Sequence, residues 1–225
     1  MTNTLHRFGD AGSFSDDYVV FAIASKGKND QGSLEKLRTF LKMAVTFKPV
    51  NLGDARHGGA LRPCYAMNPT SHWNRDMEPD FQAVIDGLDH PTTCAAVFDD
   101  RVKAEDFLKA VKEADLGLSV NISTSIDGAE QCCHAAGIPR HSVGYSLGFE
   151  GHTEHLPNAH VLTLSTMCGH GMVANSLAKK MIDWVKEGRR TPDEAVTYMA
   201  RFCSCGVFNP ARAKRVLEDA RTSTK

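Results

Sequence analysis

No stretch of this chain approaches the run of about 18–20 apolar residues that spans a bilayer, so no membrane partner is expected. There is no block or stripe of lysine and arginine either. Its 26 basic and 27 acidic residues are spread along the sequence for a formal net charge of −1, and nucleic acid is not an expected partner. Residues 1–17 are polar and lack the apolar core of a signal peptide; the expectation is a loosely held arm. The cysteines do not form an even set. There are seven, with Cys132 and Cys133 adjacent, whereas a secreted disulfide framework pairs its cysteines in a shorter chain. Reduced thiols in the cytoplasm are the expectation. No internal repeat or low-complexity segment divides the sequence, and 18–225 reads as one α/β domain. Nothing argues against a homo-oligomer.

Within that domain, 42 % hydrophobic and 24 % charged residues suit a globular chain with a substantial core. Tyr18 to Ser25 is a continuous apolar run of strand length, and Thr93 to Phe98 is a second. From Leu118 to Ile126 apolar and polar residues alternate, the period of a strand. The strand–helix–strand stretch across Thr93 to Ile126 reads as a βαβ unit, hence a parallel pair. Val143, Tyr145, Leu147 and Phe149 alternate with small residues and predict another strand. Gly144-Tyr145-Ser146-Leu147-Gly148 matches a nucleophile elbow, but that motif needs a helix after its serine, and the alternation runs on instead. The predicted fold is α/β. It has a central, mainly parallel or mixed sheet of about five strands, helices on its faces and a C-terminal helical hairpin.

The stretch that organises the chemistry is Val161 to Val173. An apolar β-branched run reads as a strand, a glycine-flanked turn follows, and Val173, Leu177, Met181 and Trp184 mark one face of a helix. Cys168, Gly169, His170 and Gly171 then lie at a strand-to-helix turn. There, free N–H groups would favour a thiolate or the anionic group of a small-molecule substrate. Thirty-five residues on, Cys203-Ser204-Cys205-Gly206 forms a turn between two capped helices. The helical hairpin between these turns should carry Cys203 and Cys205 back beside Cys168.

Three readings of this set compete. Cys168, His170, Cys203 and Cys205 suit a zinc ion, and three of them as thiolates would suit an iron–sulfur cluster. Alternatively Cys168 is a bare thiolate, nucleophile or acid/base, with His170 beside it and no cofactor. The third reading is a packed cysteine beside a surface histidine.

Met167-Cys168-Gly169-His170-Gly171 resembles the box around one catalytic cysteine of the proline racemases. That resemblance implies an acid/base cysteine beside a carboxylate held by backbone N–H groups. It covers five residues. The family's second box, Cys-Gly-Thr-Gly, maps only onto Cys205-Gly206, where Val207 and Phe208 break it, 37 positions after Cys168. The match is local convergence rather than membership.

Other groups could complete the site. In a parallel sheet the carboxyl ends of the strands share one rim, which would bring Lys26 and Asp127 towards Cys168. Asn51 to Pro79 shows no helix or strand period and reads as a lid or wall, with Arg56, His57 and Arg62 facing substrate. His152, His155 and His160 form a looser second set of metal-type ligands. The expected activity is that of a small-molecule lyase, hydrolase or isomerase acting on an anionic substrate. The alternative is a non-catalytic metal- or ligand-binding protein.

Overall fold

The computed structural model describes residues 5–61 and 79–223. Five strands and eight helices follow one another as β1 (Tyr18–Ile23), α1 (Ser33–Thr46), β2 (Asn51–Asp54), β3 (Gly58–Gly59), α2 (Phe81–Gly87), β4 (Cys94–Phe98) and α3 (Arg101–Ala114). Then come β5 (Ser119–Ser123), α4 (Ile126–Ala135), α5 (Ala159–Ser165), α6 (Asn175–Lys186), α7 (Pro192–Ala200) and α8 (Pro210–Thr222).

The strands form one sheet in the order β3-β2-β4-β1-β5, and each neighbouring pair is antiparallel. This overturns the parallel or mixed sheet expected from the sequence. β4 and β5 do run the same way, as a βαβ reading requires. However, β1 lies between them and opposes both, a split βαβ arrangement. The unbroken apolar run of β1 reports burial on two sides, not a parallel neighbour. Tyr18, Val20 and Ala22 enter one core with Leu37, Phe40 and Leu41 of α1 and Phe107 of α3. Val19, Phe21 and Ile23 enter a second core with Leu164 of α5, Met181 of α6, Met199 of α7 and Leu217 of α8. The sheet is therefore sandwiched between two helical layers, and the functional candidates belong to the second.

Two further expectations about strands are corrected. Val161–Ser165 is helical, part of α5, started by the Asn158 side chain, which accepts the Val161 N–H at 3.0 Å. All five of these residues are buried, so no polar face remains to betray a helical period. The segment 143–149 forms no strand, and Tyr145 and Leu147 are exposed. Conversely, Asn51 to Pro79 is not wholly irregular, because β2 and β3 make a hairpin at its start. Its Arg62 lies outside the described residues.

The N-terminal segment, read above as an arm, lies against α8. The fully buried Asp17 carboxylate accepts from Arg7, from Arg212 Nη1 at 2.9 Å and from Asn209 Nδ2 at 2.9 Å. No helix among the described residues is long and apolar enough to cross a membrane.

Candidate metal centre

Two helices deliver the chain to this site, both at their carboxyl ends. α5 ends at Ser165 and runs through Thr166 into the turn that holds Cys168 and His170. Its last loop is tied down twice: the Phe8 N–H donates to Thr166 Oγ1 at 2.9 Å, and the Gly169 N–H donates to the Thr166 carbonyl at 2.8 Å. Gly169 has φ +78° and lies so close to Leu5 and His6 that an added Cβ would stand 2.9 Å from the His6 nitrogen. α7 ends at Ala200 and leads into the turn of Cys203 and Cys205. That turn is seated on the sheet at Gly206. A Cβ on Gly53 of β2 would meet Gly206 Cα at 2.6 Å, and one on Gly59 of β3 would meet it at 2.5 Å. Backbone rests directly on backbone here, which only glycine permits.

These supports bring Cys168, His170 and Cys205 together, with Cys203 beside Cys205. Single ligand atoms of Cys168, His170 and Cys205 all lie within 4.8 Å of one another. Cys205 Sγ is 3.2 Å from His170 Nδ1 and 3.7 Å from Cys203 Sγ. The Phe208 N–H donates to Cys203 Sγ at 3.3 Å, and the Phe208 carbonyl accepts from Asn51 Nδ2 at 2.9 Å. The sulfurs are buried, at 1 % exposure for Cys168, 2 % for Cys203 and 8 % for Cys205, while His170 is exposed. The group of Cys168, His170 and Cys205 can hold a metal ion.

The electrostatics depart from the sequence expectation. The helix after the turn begins only at Asn175, so Cys168 follows a helix carboxyl end rather than preceding an amino end. Carbonyl-rich ends favour cations, and two of them meet here. The anion expectation at Gly169 and Gly171 has lost the helix terminus it stood on. What lowers the Cys168 pKa is its neighbours. Hydrogen bonds from Cys203 and then Cys205 outweigh burial, with backbone and side-chain bonds from His170 adding to them. The same bonds work in reverse on the partners. Hydrogen bonding to Cys168 pushes the Cys203 thiol up to about 11. Cys205 is pushed up as well, by Cys168 first and then by Cys203 and burial. The three sulfurs are thus polarised, Cys168 towards the thiolate and Cys203 and Cys205 towards S–H.

No protein-family model, curated protein or solved structure matches this chain. The centre is read from its own atoms.

The remaining candidates stand apart. Lys26 is exposed on the turn after β1. Because β1 opposes β4 and β5, its carboxyl end lies at the rim opposite to theirs, so no common rim of strand ends forms. Asp127 is exposed in the first turn of α4, whose N-cap is Ser125. Arg56 and His57 occupy the β2–β3 turn. There, Asp54 Oδ1 accepts both of their backbone N–H groups at 2.8 Å, and His57 Nε2 lies 3.2 Å from Asp89 Oδ1. His152, Glu154 and His155 form a second, fully exposed group of metal-type ligands, without His160. Cys132 is buried in the first core and its thiol is raised to about 12, chiefly by burial.

Sequence reasoning missed Gly53, Gly59 and Phe208 as supports of the centre. The pair Gly58-Gly59 carried the signal, since adjacent glycines beside a strand mark close approach of another backbone.

Proposed function

We propose that this protein binds one zinc-class ion through Cys168, Cys203, Cys205 and His170. The sulfur separation carries the reading. Two thiolates on one tetrahedral zinc, each at about 2.3 Å, stand about 3.8 Å apart, and Cys203 and Cys205 stand at 3.7 Å. A [4Fe–4S] cluster places each cysteine on its own iron, which needs sulfurs farther apart than this pair. Thiolate and imidazole donors also suit zinc better than the hard cations. The two helix carboxyl ends and the Phe208 N–H on Cys203 support a cation held by charged sulfur. A reducing, cytoplasmic setting accords with six free cysteines among the described residues.

Three cysteines and a histidine make the closed set of a structural zinc site, and a catalytic role needs one of them to give way to water or substrate. His170, the one exposed ligand, is the candidate. The substrate is then a small molecule arriving at the His170 corner. Elemental analysis of freshly purified, anaerobically handled protein tests the proposal. About one zinc per chain, lost in Cys168→Ser and Cys205→Ser, is the expected result. Metal-free protein whose Cys168 alkylates rapidly below neutral pH would replace it with the bare-thiolate reading.

A further inference from the structure

Resting on the zinc-class reading above, we infer that His170 is a releasable ligand, and that the corner it vacates takes a small-molecule thiol. The four ligands are not held alike. Cys203 is bonded from behind by the Phe208 N–H, and Cys205 precedes the Gly206 backbone pressed onto Gly53 and Gly59. Cys168 lies between Met167, fully buried, and Gly169, clamped against Leu5 and His6. The three sulfurs are buried on backbone that is held in place.

His170 differs on each count. Its ring is exposed, and Gly171 after it has φ +64° with nothing within 4 Å of where a Cβ would stand. Met172 beyond is 49 % exposed. A histidine committed to a metal nearly always donates its second ring nitrogen to a carboxylate or carbonyl, which fixes the ring. Among the described residues, the His170 ring bonds only to sulfur, through Nδ1 to Cys205 at 3.2 Å and by a side-chain bond to Cys168, and no carboxylate or carbonyl fixes it. The ligand at the solvent corner therefore has the least behind it and an unobstructed glycine on which to swing.

The chemistry of the vacated position follows from its surroundings. Three thiolates already exceed the charge of a divalent ion, so the centre is soft and a weak attractor of hard oxyanions. Among the described residues, the hydrogen bonds to Cys203 and Cys205 come from each other, from His170 and from the Phe208 N–H, and none comes from a lysine or arginine. Leu5 lies beside Gly169, and Met172, two positions after His170, is exposed. A thiol matches this environment: it enters as the thiolate, its proton goes to buffer, and the neutral imidazole of His170 leaves. Four-sulfur zinc sites show that a fourth thiolate is an acceptable donor.

The test uses the full chain loaded with cobalt(II), whose visible bands report four-coordinate geometry and whose near-ultraviolet charge-transfer band grows with each bound sulfur. Titration with 2-mercaptoethanol should raise that band by one sulfur's share and saturate, whereas azide and phosphate should leave it unchanged. His170→Ala and His170→Gln should keep one cobalt per chain under conditions where Cys205→Ser keeps none. They should bind the thiol about tenfold or more tighter, because no ligand has to be displaced first. Loss of cobalt from both His170 variants would make His170 a structural ligand and overturn the inference while leaving the metal reading intact. A response to azide or phosphate instead of thiol, or to none of the three, would overturn it too. Wild-type protein that takes up neither cobalt nor zinc would overturn the metal reading itself.

Discussion

Cys205 Sγ lies 3.2 Å from His170 Nδ1, across 35 positions of sequence. Two helices, α6 and α7, fill that interval and pack against each other, so the contact is made by a helical hairpin closing on itself. A ligand pair brought together by folding ties metal affinity to the folded state. Zinc should therefore raise the thermal midpoint of the metal-free protein by several degrees, and Cys205→Ser should abolish that rise. Differential scanning calorimetry with and without zinc reads both.

The raised thiols of Cys203 and Cys205 set the pH dependence of binding. Near neutrality both hold protons in the metal-free protein, while zinc requires thiolates. Binding then expels two protons, so affinity rises with pH and falls in acid, by about a hundredfold per pH unit around neutrality. Competition titrations against a chelator at several pH values measure the slope. A flat profile would mean that all three sulfurs are already ionised.

Gly53→Ala isolates the seating of the Cys205 turn. The new methyl would stand 2.6 Å from Gly206 Cα and 2.7 Å from the Gly58 carbonyl oxygen, so backbone has to move. Overpacking of this kind costs about 1–3 kcal/mol. Urea denaturation should show the loss, and zinc affinity should fall with it because Cys205 is displaced. Gly87→Ala, whose Cβ meets nothing within 4 Å, serves as a control with unchanged zinc binding.

Much of this was legible in the sequence, and the failures share a cause. The two capped helices around the Cys203 turn are present: Thr191 and Glu194 form the capping box that starts α7, and Asn209 starts α8 by accepting the Arg212 N–H. Such signals are local, so the sequence states them outright. The periodic positions of β1, β4 and β5 were legible for the same reason. The error came at Val161–Ser165, where a short run buried on every side has no period to separate a helix from a strand. From that error followed the expectation of a helix amino end beside Cys168, and with it the anion. Strand direction was lost because the insertion of β1 between β4 and β5 is a relation among distant segments. The clustering of Cys168 with Cys203 and Cys205 survives the mistaken strand, since it depended on the α6–α7 hairpin alone.

Asp17→Asn addresses the other buried polar group. It would leave the guanidinium groups of Arg7 and Arg212, 8 % and 0 % exposed, without their shared carboxylate. Burial already lowers the Arg212 pKa, with Asp17 opposing that shift. Removing one member of a buried charge cluster costs about 3–5 kcal/mol. Chemical denaturation should show a loss of that size, with the steepness of the transition unchanged.

That same cluster governs when the protein becomes whole. Asp17 leaves the ribosome 195 residues ahead of Arg212, and Phe8 precedes its acceptor Thr166 by 158. Until α8 arrives, Arg7 is the one partner of the Asp17 carboxylate from this cluster. The last helix adds the Arg212 and Asn209 donors that complete it. The turn that presents Cys168 is fastened by the earliest segment of the chain, and that segment is fastened in part by the latest.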